Sequence, residues 1–250
     1  MKSGNIQAVT FDLWNTLIVD SGGGGRSRAD RRIEATVVAL KDCGRDYPVE
    51  RVEEAYWASQ QRFEQVRIRG LDTRFEVQLD YFLDIIEDGL ARAIDPGPKE
   101  IITSQHLNAY LEYPPTLMPG ALEVLDTLTG HGYKIALICN SGTTPGSLQR
   151  KWLEEQGIAS YMKVLTFSDE EELAKPSAEI FFTTLRALDV LPHLSVHIGD
   201  RPETDILGAK RVGMRAILIG GESCDGVPVE PDARVQCLAE LPAVLEELQG

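Results

Sequence analysis

Apolar residues recur along the chain in two different rhythms. Between about residues 28 and 111 they are spaced three or four positions apart, as Ile33, Val37 and Leu40 are, which is typical of amphipathic helices. Beyond Pro115, short apolar runs alternate with stretches of helical spacing. This change of rhythm predicts a helical segment followed by a segment in which strands and helices alternate.

Five short apolar runs have the composition of buried strands. One precedes the helical segment and four follow it: residues 8–11, 134–139, 163–167, 195–198 and 216–219. Near-continuous apolar strands that are separated by helices predict a parallel sheet with helices on both faces. The pattern therefore predicts an α/β fold with a small α-helical domain inserted after the first strand.

A run of glycines connects the first strand region to the helical segment. Ser21 is followed by Gly22, Gly23, Gly24 and Gly25, a stretch too short to serve as a disordered linker. Glycine adopts backbone conformations that other residues avoid. We therefore expect a flexible hinge here, which lets the helical segment open and close over the rest of the protein.

The composition argues against several kinds of partner. The 250 residues suit one α/β domain with an insertion. Lysine and arginine total 25, aspartate and glutamate total 39, and the net charge is −14. A chain this acidic is poorly suited to holding nucleic acid or an anionic membrane by bulk charge, and no apolar run approaches the roughly 18 residues of a membrane span. We expect neither partner; the sequence leaves the oligomeric state open.

The cysteine pattern indicates a reduced, cytoplasmic protein. Cys43, Cys139, Cys224 and Cys237 form no CxxC pair and have no histidine at metal-site spacing. The N-terminus lacks the apolar core of a signal peptide. We therefore expect free thiols, with neither a zinc site nor a disulfide framework.

Polar residues occur where the predicted strands end. The candidates, in chain order, are Asp12, Asn140, Ser141, Lys175, Asp200 and Asp205. Ligands of parallel sheets gather at the carboxyl ends of the strands, so we expect these side chains to line one crevice that suits a small anionic substrate. Crowded carboxylates repel each other unless a cation lies among them, and oxygen-only ligands suit Mg²⁺. The pattern thus predicts a magnesium site, with Lys175 as a further positive charge beside a carboxylate nucleophile.

Four motifs, in a fixed order, carry all of these residues except Ser141, which directly follows the second motif. They are Phe11-Asp12-Leu13-Trp14-Asn15-Thr16-Leu17, Leu137-Ile138-Cys139-Asn140, Lys175-Pro176, and Gly199-Asp200 followed by Asp205. In this order the sequence resembles the haloacid dehalogenase-like (HAD) hydrolase superfamily, in the branch with a helical cap after the first strand. The resemblance covers nearly the whole chain. It implies a Rossmann-like catalytic core at residues 1–19 and 113–250 and a substrate-selecting helical cap at residues 20–112.

The resemblance also implies an activity and a role for each motif. Asp12 is implied as the nucleophile that forms an aspartyl intermediate, and Lys175 as a catalytic residue that balances charge. The implied enzyme is a magnesium-dependent hydrolase, a phosphatase that acts on a small phosphorylated metabolite. The implied magnesium ligands are Asp12, Asp200, Asp205 and the main-chain carbonyl of Trp14.

Two positions depart from the phosphatase pattern. Phosphatases of this family usually carry a second aspartate two residues after the nucleophile, as general acid for the leaving group. Trp14 occupies that position here and cannot transfer a proton. Cys139 occupies the place of the phosphate-binding serine or threonine, and a thiol is a poor donor. Ser141 and the Asn140 amide are the candidate substrate-binding groups in its place.

These departures leave alternatives open. An aromatic residue at position 14 is also similar to the 2-haloacid dehalogenases of the superfamily, whose halide leaves without a proton and without metal. Those enzymes lack the Gly-Asp pair of the fourth motif, so Asp200 and Asp205 favour the magnesium enzyme. Hydrolysis of a carbon–halogen or carbon–phosphorus bond remains the first alternative. A weakly catalytic protein that binds a phospholigand or a partner is the second.

Other charged residues have simpler interpretations. The arginines of the early helical segment are expected on a solvated helix face, with contact to a substrate anion as the alternative; they are Arg26, Arg28, Arg31 and Arg32. Residues 169–172 are all acidic and are expected in an exposed loop, although the resemblance implies that Asp169 helps to support the lysine. The four histidines show no pairing and are assigned no role.

Overall fold

A six-stranded sheet lies at the centre of the protein in the computed structural model, which describes residues 5–249. Its strand order is residues 162–167, 134–139, 8–11, 195–199, 215–219 and 233–235, and every neighbouring pair is parallel. In chain order the strands, with a separate short antiparallel pair (β2 and β3), are β1 (Ala8–Phe11), β2 (Ile18–Val19), β3 (Thr116–Leu117), β4 (Lys134–Cys139), β5 (Met162–Phe167), β6 (Ser195–Gly199), β7 (Arg215–Ile219) and β8 (Ala233–Val235).

The five strands expected from the sequence are confirmed to within one residue at each end. The central residues of β1, β4, β6 and β7 are fully buried, because helices cover both faces of the sheet, whereas Val164 and Leu165 of the edge strand β5 are half-buried. The remaining strands, β2, β3 and β8, have two or three residues each and are too short to produce a distinct apolar run. The parallel arrangement brings the carboxyl ends of β1, β4 and β6 to the same edge.

Six α-helices follow β3 within the described residues. They are α6 (Ala121–Gly130), α7 (Gly146–Glu155), α8 (Ser168–Glu171), α9 (Ala178–Leu188), α10 (Leu207–Arg211) and α11 (Leu241–Glu247). Side chains of α6, α7 and α11 share one apolar cluster with Leu137 and Cys139 of β4. Helices α9 and α10 share another with Ile138, which points to the opposite face because side chains alternate along a strand.

Five helices lie between β2 and β3, in the segment whose apolar spacing is helical. They are α1 (Gly24–Asp42), α2 (Val49–Ile68), α3 (Phe75–Ile86), α4 (Leu90–Ala93) and α5 (Pro96–Glu112). Their apolar faces form a cluster of their own, centred on fully buried residues such as Leu40, Leu83 and Ile86. We refer to this group of helices as the cap. None of the helices within residues 5–249 combines the length and apolar composition needed to cross a bilayer.

The glycine run is only partly a loop. Gly22 and Gly23 have φ angles of 58° and 80°, whereas Gly24 and Gly25 are the first residues of α1. The expectation of a four-glycine hinge is therefore wrong for its second half. The side chain of Asp20 lies against this first turn, and a Cβ on Gly25 would come within 2.7 Å of its Oδ2.

We expect Gly23→Ala to lower the free energy of unfolding by about 1–2 kcal/mol, because a left-handed conformation is costly for a residue with a Cβ. A Cβ at this position meets no atom within 4 Å, so the effect isolates the backbone. The matched control is Gly24→Ala, which sits in a helix with a Cβ contact of 3.4 Å and should cause no loss. Urea unfolding measures both; equal losses would contradict the expectation.

Candidate active site

The ammonium group of Lys175 lies at the centre of the candidate site. Its Nζ is 2.6 Å from Asp12 Oδ1 and 2.7 Å from Asp205 Oδ1, and its side chain is 1% exposed. A buried ammonium is tolerated only when it is paired and hydrogen-bonded. Burial disfavours the charged form of Lys175, but the two carboxylates outweigh burial and raise its pKa above the ordinary value. Lys175 is therefore held as a cation between two carboxylates.

Asp12 is fixed at the end of β1 by hydrogen bonds on both sides. Its amide donates to Ile198 O at 2.8 Å, and its Oδ2 accepts from the Thr16 hydroxyl at 3.2 Å. Burial raises the pKa of Asp12 to about 7; Asp205 and Asp200 act in the same direction and Lys175 opposes them. A cation placed among these carboxylates would favour the ionised form that a nucleophile requires.

Three carboxylates form the cluster in which a cation was expected. Asp12, Asp200 and Asp205 each present an oxygen, and these atoms all lie within 4.8 Å of one another. Asn15, whose φ is 59°, donates from Nδ2 to Asp200 Oδ2 at 3.2 Å and orients that side chain. With all three carboxylates ionised, the single ammonium of Lys175 leaves two negative charges uncompensated. The chain thus supplies the charge and the oxygen donors that suit a divalent cation such as Mg²⁺.

Two further features of this cluster concern Asp205 and Trp14. Asp205 also receives the amide of Arg201 at 3.0 Å, so this carboxylate positions neighbouring groups as well as contributing to the cluster. Burial raises the pKa of Asp205, but Lys175 and the hydrogen bond from His197 outweigh it, and the net shift is downward. The main-chain carbonyl of Trp14 accepts no hydrogen bond from residues 5–249 and is available to a cation.

His197 is a site residue that the sequence reasoning missed. It points inward from β6, with Nε2 3.3 Å from Asp205 Oδ1 and Nδ1 2.8 Å from the Thr10 hydroxyl. Burial lowers the pKa of His197, so the ring is neutral and donates from Nε2 to the carboxylate. This hydrogen bond from β6 therefore holds the Asp205 carboxylate in position. The available signal was a histidine in the middle of an otherwise apolar strand.

Asn140 lies beside the site and holds the backbone of Lys175. Its Nδ2 donates to Lys175 O at 3.0 Å, and its Oδ1 accepts from Lys175 N at 2.8 Å. This two-point contact fixes the segment from which the lysine side chain extends. The amide group is thereby engaged within the protein, and its expected role in substrate binding stays a prediction.

Ser141 is likewise held by internal hydrogen bonds. Its hydroxyl donates to Asp169, and its amide donates to the Ser168 hydroxyl at 2.8 Å. Asp169 also accepts the amide of Gly146 at 3.1 Å. Asp169 is buried, so the expectation of an exposed loop is wrong for this residue. It holds the loop after β4 and makes no hydrogen bond or ion pair with Lys175 among the described residues. The substrate-binding role of Ser141 stays a prediction.

Trp14, in the loop after β1, is connected through Gln149 to the loop after β4. Its Nε1 donates to Gln149 Oε1 at 3.2 Å, and Gln149 Nε2 donates to Ser141 O at 3.1 Å and to Thr144 O at 2.7 Å. The indole packs edge-on against Tyr110 with ring centroids 6.4 Å apart. A packed aromatic that anchors the loop after β4 thus occupies the place of the family's general acid.

Cys139 has the character of a small buried hydrophobe. Its side chain is fully buried in the main apolar cluster. Burial, together with the charge of Asp12, raises the pKa of the Cys139 thiol well above its usual range. The thiol therefore stays protonated at neutral pH. All four cysteines are free thiols.

The cap closes directly over the segment that carries Lys175. The loop between α2 and α3 pairs with it: Ala174 N donates to Gly70 O at 3.0 Å, and Asp72 N donates to Glu172 O at 3.2 Å. Gly70 allows this approach, because a Cβ there would lie 2.9 Å from Ser177 Cβ. The Ser168 hydroxyl donates to Asp72 Oδ2 at 2.5 Å. The strand ends of the core therefore form one side of the site, and the loop between α2 and α3 of the cap packs against the segment that carries Lys175.

The arginines of α1 do not share one environment. Arg26 is exposed and pairs with Asp30 and Glu53, whereas Arg28 and Arg32 are buried. The expectation of a solvated helix face is wrong for these two. Helix α1 packs along α5 over its length, so one side of its polar sequence faces the interior. Arg28 pairs with Asp20 at 2.7 Å and donates to Tyr113 O at 2.8 Å.

Comparison with known proteins establishes the family. The sequence profile of the haloacid dehalogenase-like hydrolases matches residues 6–213. The chain is a HAD-like hydrolase. A ribulose-1,5-bisphosphate 5-phosphatase of Halopiger xanaduensis is 31% identical to this HAD-like hydrolase over 245 residues, covering 94% of this chain and 97% of that one. A glyceraldehyde 3-phosphate phosphatase of Methanopyrus kandleri is 30% identical over 166 residues, covering 62% of this chain and 67% of that one.

Solved structures share the fold of this HAD-like hydrolase over almost its whole length. A 2-haloacid dehalogenase of Pseudomonas syringae pv. Tomato has a TM-score of 0.71 at 23% identity and covers 97% of this chain and 99% of its own. A HAD phosphatase of Thermococcus onnurineus has a TM-score of 0.64 at 22% identity, covering 96% and 98%. The structural comparison confirms the predicted α/β fold with a Rossmann-like parallel core. The sequence profile and the relatives confirm the predicted family and the assignment as a hydrolase.

We expect Gly199→Ala to lower the free energy of unfolding by about 1–3 kcal/mol, as overpacking of a buried site typically does. The added Cβ would lie 2.3 Å from Asp205 Cγ, so the carboxylate that holds Lys175 must move. Gly221→Ala is the matched control, because a Cβ there meets no atom within 4 Å. Urea unfolding of the two variants measures the difference, and an unaffected Gly199→Ala would contradict the close packing.

Proposed function

We propose that this HAD-like hydrolase is a magnesium-dependent phosphatase that acts on a small phosphorylated metabolite through an aspartyl-phosphate intermediate on Asp12. The observation that carries the proposal is the buried Lys175 between Asp12 and Asp205, beside a third carboxylate, Asp200. A metal-free dehalogenase has no use for the uncompensated negative charge of this cluster. The phosphatase activities in the names of the relatives support the same interpretation.

The residues present suit a magnesium ion. Asp12, Asp200, Asp205 and the Trp14 carbonyl would hold it, and all four offer oxygen, which Mg²⁺ prefers. When bound, the ion neutralises part of the charge that separates a carboxylate nucleophile from an anionic phosphate. Lys175 contributes the remaining positive charge and keeps the Asp12 carboxylate in place.

The reaction proceeds in two displacements. A carboxylate oxygen of Asp12 attacks phosphorus, forming an acyl-phosphate bond while the bond to the leaving oxygen breaks. The departing alkoxide takes its proton from water, because Trp14 offers none. Water then attacks the aspartyl-phosphate, which releases inorganic phosphate and regenerates Asp12. The cap, at residues 20–112, covers the crevice and selects the substrate, while the core at residues 1–19 and 113–250 performs the chemistry. We place the enzyme in the cytoplasm, in keeping with its four free thiols.

The first test is phosphate release from p-nitrophenyl phosphate in the presence of Mg²⁺. We expect turnover in the wild type and only the uncatalysed rate in Asp12→Asn, which removes the nucleophilic oxygen but keeps the side-chain shape. Asp126→Asn, at an exposed position of α6, is the matched control and should retain activity. Halide release from a 2-haloacid without phosphate release would favour the dehalogenase alternative; no turnover of either substrate would favour the binding protein.

The metal assignment has a readout that is independent of turnover. An ion that binds only the folded state stabilises it by about 2.7 kcal/mol at 100 times its dissociation constant. Millimolar Mg²⁺ should therefore raise the Tm of the wild type and leave that of Asp200→Ala unchanged. An equal shift in both proteins would show that the carboxylate cluster is not the binding site.

The second test concerns the leaving group. A positioned general acid typically contributes about 10²–10⁴-fold, mostly for basic leaving groups. Because Trp14 supplies no proton, the wild-type rate should fall steeply as the pKa of the leaving group rises. Trp14→Asp should flatten this dependence by accelerating alkyl phosphates more than aryl phosphates.

Trp14→Phe is the matched control for this test. It keeps an aromatic ring against Tyr110 and removes the hydrogen bond to Gln149 without adding an acid. Comparing the slopes of log kcat/KM against leaving-group pKa separates the two effects. Folded variants with equal slopes would show that proton donation at position 14 does not limit the reaction.

A further inference from the structure

Four carboxylates are buried among residues 5–249, and one of them comes from the cap. Asp12, Asp169 and Asp205 belong to the core, whereas Asp72 lies in the cap loop between α2 and α3. The side chain of Asp72 is fully buried where this loop meets the core. Burying a carboxylate is costly unless it is paired and hydrogen-bonded, so the partners of Asp72 indicate what its burial achieves.

The charge of Asp72 is compensated mainly by hydrogen bonds. The one cation that pairs with it in the described part of the chain is Arg67, whose NH1 lies 3.6 Å from Asp72 Oδ1 and makes no hydrogen bond. Asp72 Oδ1 accepts from Thr73 N at 2.9 Å, and Oδ2 accepts from the Ser168 hydroxyl at 2.5 Å. The carboxylate therefore reaches out of the cap to a hydroxyl of the core.

Ser168 connects this carboxylate to the loop after β4. Its Oγ accepts from Ser141 N at 2.8 Å, while its own proton goes to Asp72. A hydroxyl has a single proton, so the acceptor of that proton determines which way the lone pairs point. Asp72 thereby directs a lone pair of Ser168 toward the Ser141 amide. Ser141 directly follows Asn140, whose side chain holds the backbone N–H and carbonyl of Lys175.

A second connection runs through the backbone of the same cap loop. Asp72 N donates to Glu172 O at 3.2 Å, and Gly70 O accepts from Ala174 N at 3.0 Å. Ala174 immediately precedes Lys175, so this pairing holds the lysine segment from the side of the cap. The backbone of Lys175 is thus restrained by the loop after β4 and, independently, by the cap.

The contacts of the Lys175 ammonium depend on this restraint. Its Nζ lies 2.6 Å from Asp12 Oδ1 and 2.7 Å from Asp205 Oδ1. A shift of the lysine backbone lengthens both contacts, and a misplacement of about 1 Å can lower a rate about 100-fold. A residue that holds the lysine segment therefore influences the reaction without contacting the reacting atoms.

We propose that Asp72 is a positioning residue for the phosphatase reaction. By accepting the proton of Ser168, in a loop that also pairs with the segment before Lys175, it holds the loop after β4 and the lysine in the arrangement that phosphoryl transfer requires. The cap then contributes to the geometry of the catalytic groups. The inference rests on the proposed function, because it assigns Asp72 to that reaction.

Asp72→Ala tests this assignment, because it removes the acceptor for Ser168. We expect kcat for p-nitrophenyl phosphate to fall about 10- to 100-fold, the size of effect that misplaced catalytic groups cause. KM should change by less than about threefold, since loss of an interaction used in the transition state lowers kcat and kcat/KM together. The Tm is measured first, and rates are determined well below it and expressed per folded molecule.

Arg74→Gln is the matched control. Arg74 lies two residues from Asp72 and also joins the cap to the core, through an ion pair with Glu172 at 3.1 Å. Both side chains of this pair are exposed, and exposed ion pairs contribute little. The variant should keep the wild-type kcat and KM. An equal loss of kcat in Arg74→Gln and Asp72→Ala would overturn the assignment, because any weakening of the cap–core contact would then suffice.

A double-mutant cycle with Ser168→Ala tests the route through the hydroxyl. Adding Asp72→Ala to Ser168→Ala should lower kcat by less than about threefold further, since residues of one hydrogen-bond network have non-additive effects. Losses that multiply in the double variant would overturn the assignment. Ser168→Ala also serves if Asp72→Ala does not fold: it should show the loss of kcat by itself, and an unchanged kcat would then count against the proposal.

Amide hydrogen exchange provides a readout that needs no turnover. The amides of Ser141 and Ala174 should exchange about tenfold faster in Asp72→Ala than in the wild type, as expected when a hydrogen bond that supports both segments is lost. Arg74→Gln should leave both rates at their wild-type values. Equal exchange of the two amides in Asp72→Ala and the wild type would show that Asp72 does not hold these segments.

The two readouts separate failure of this inference from failure of the phosphatase function. An unchanged kcat in folded Asp72→Ala would overturn the positioning role, whatever the exchange rates, and leave the phosphatase function intact. Failure of the wild type to release phosphate would overturn the phosphatase function. The exchange rates would then decide by themselves whether Asp72 holds the loop after β4 and the segment before Lys175.

Discussion

The buried ion pair of Lys175 with Asp12 and Asp205 is the interaction on which the rest of the site depends. An ammonium with 1% exposure is stable only if both carboxylates are in place. Each partner is held in turn, Asp205 by His197 and the backbone of Lys175 by Asn140. Residues that follow three separate strands must therefore be positioned together before Asp12 is held in this geometry.

The loop after β4 shows how the chain compensates for its departure at Trp14. Trp14 replaces the aspartate that serves as general acid in phosphatases of the family. Its indole donates a hydrogen bond to Gln149, which in turn donates to two carbonyls of that loop. Thr144 is also bound by Arg32 from the cap. The same loop is thus restrained from below by Trp14 and from above by the cap. A change at position 14 therefore alters the support of this loop.

The core and the cap differ in their local electrostatics. The strand ends of the core carry a cluster of three carboxylates, whose oxygens suit a cation. On the cap side, a buried arginine lacks a counter-ion and faces neutral hydroxyls. The core site and the cap side of this region therefore carry local charges of opposite sign. The net charge of −14 conceals this local arrangement.

The sequence by itself determined the fold class, the five main strands and the acidic and basic residues at their ends. Apolar periodicity and motif order are local properties, readable without knowing which segments meet. It did not show that Arg32 is buried without a carboxylate, that His197 supports Asp205, or that Gln149 connects Trp14 to the loop after β4. Those facts depend on contacts between residues far apart in the chain. Burial and pairing are properties of the packed interior, and only the tertiary structure decided them.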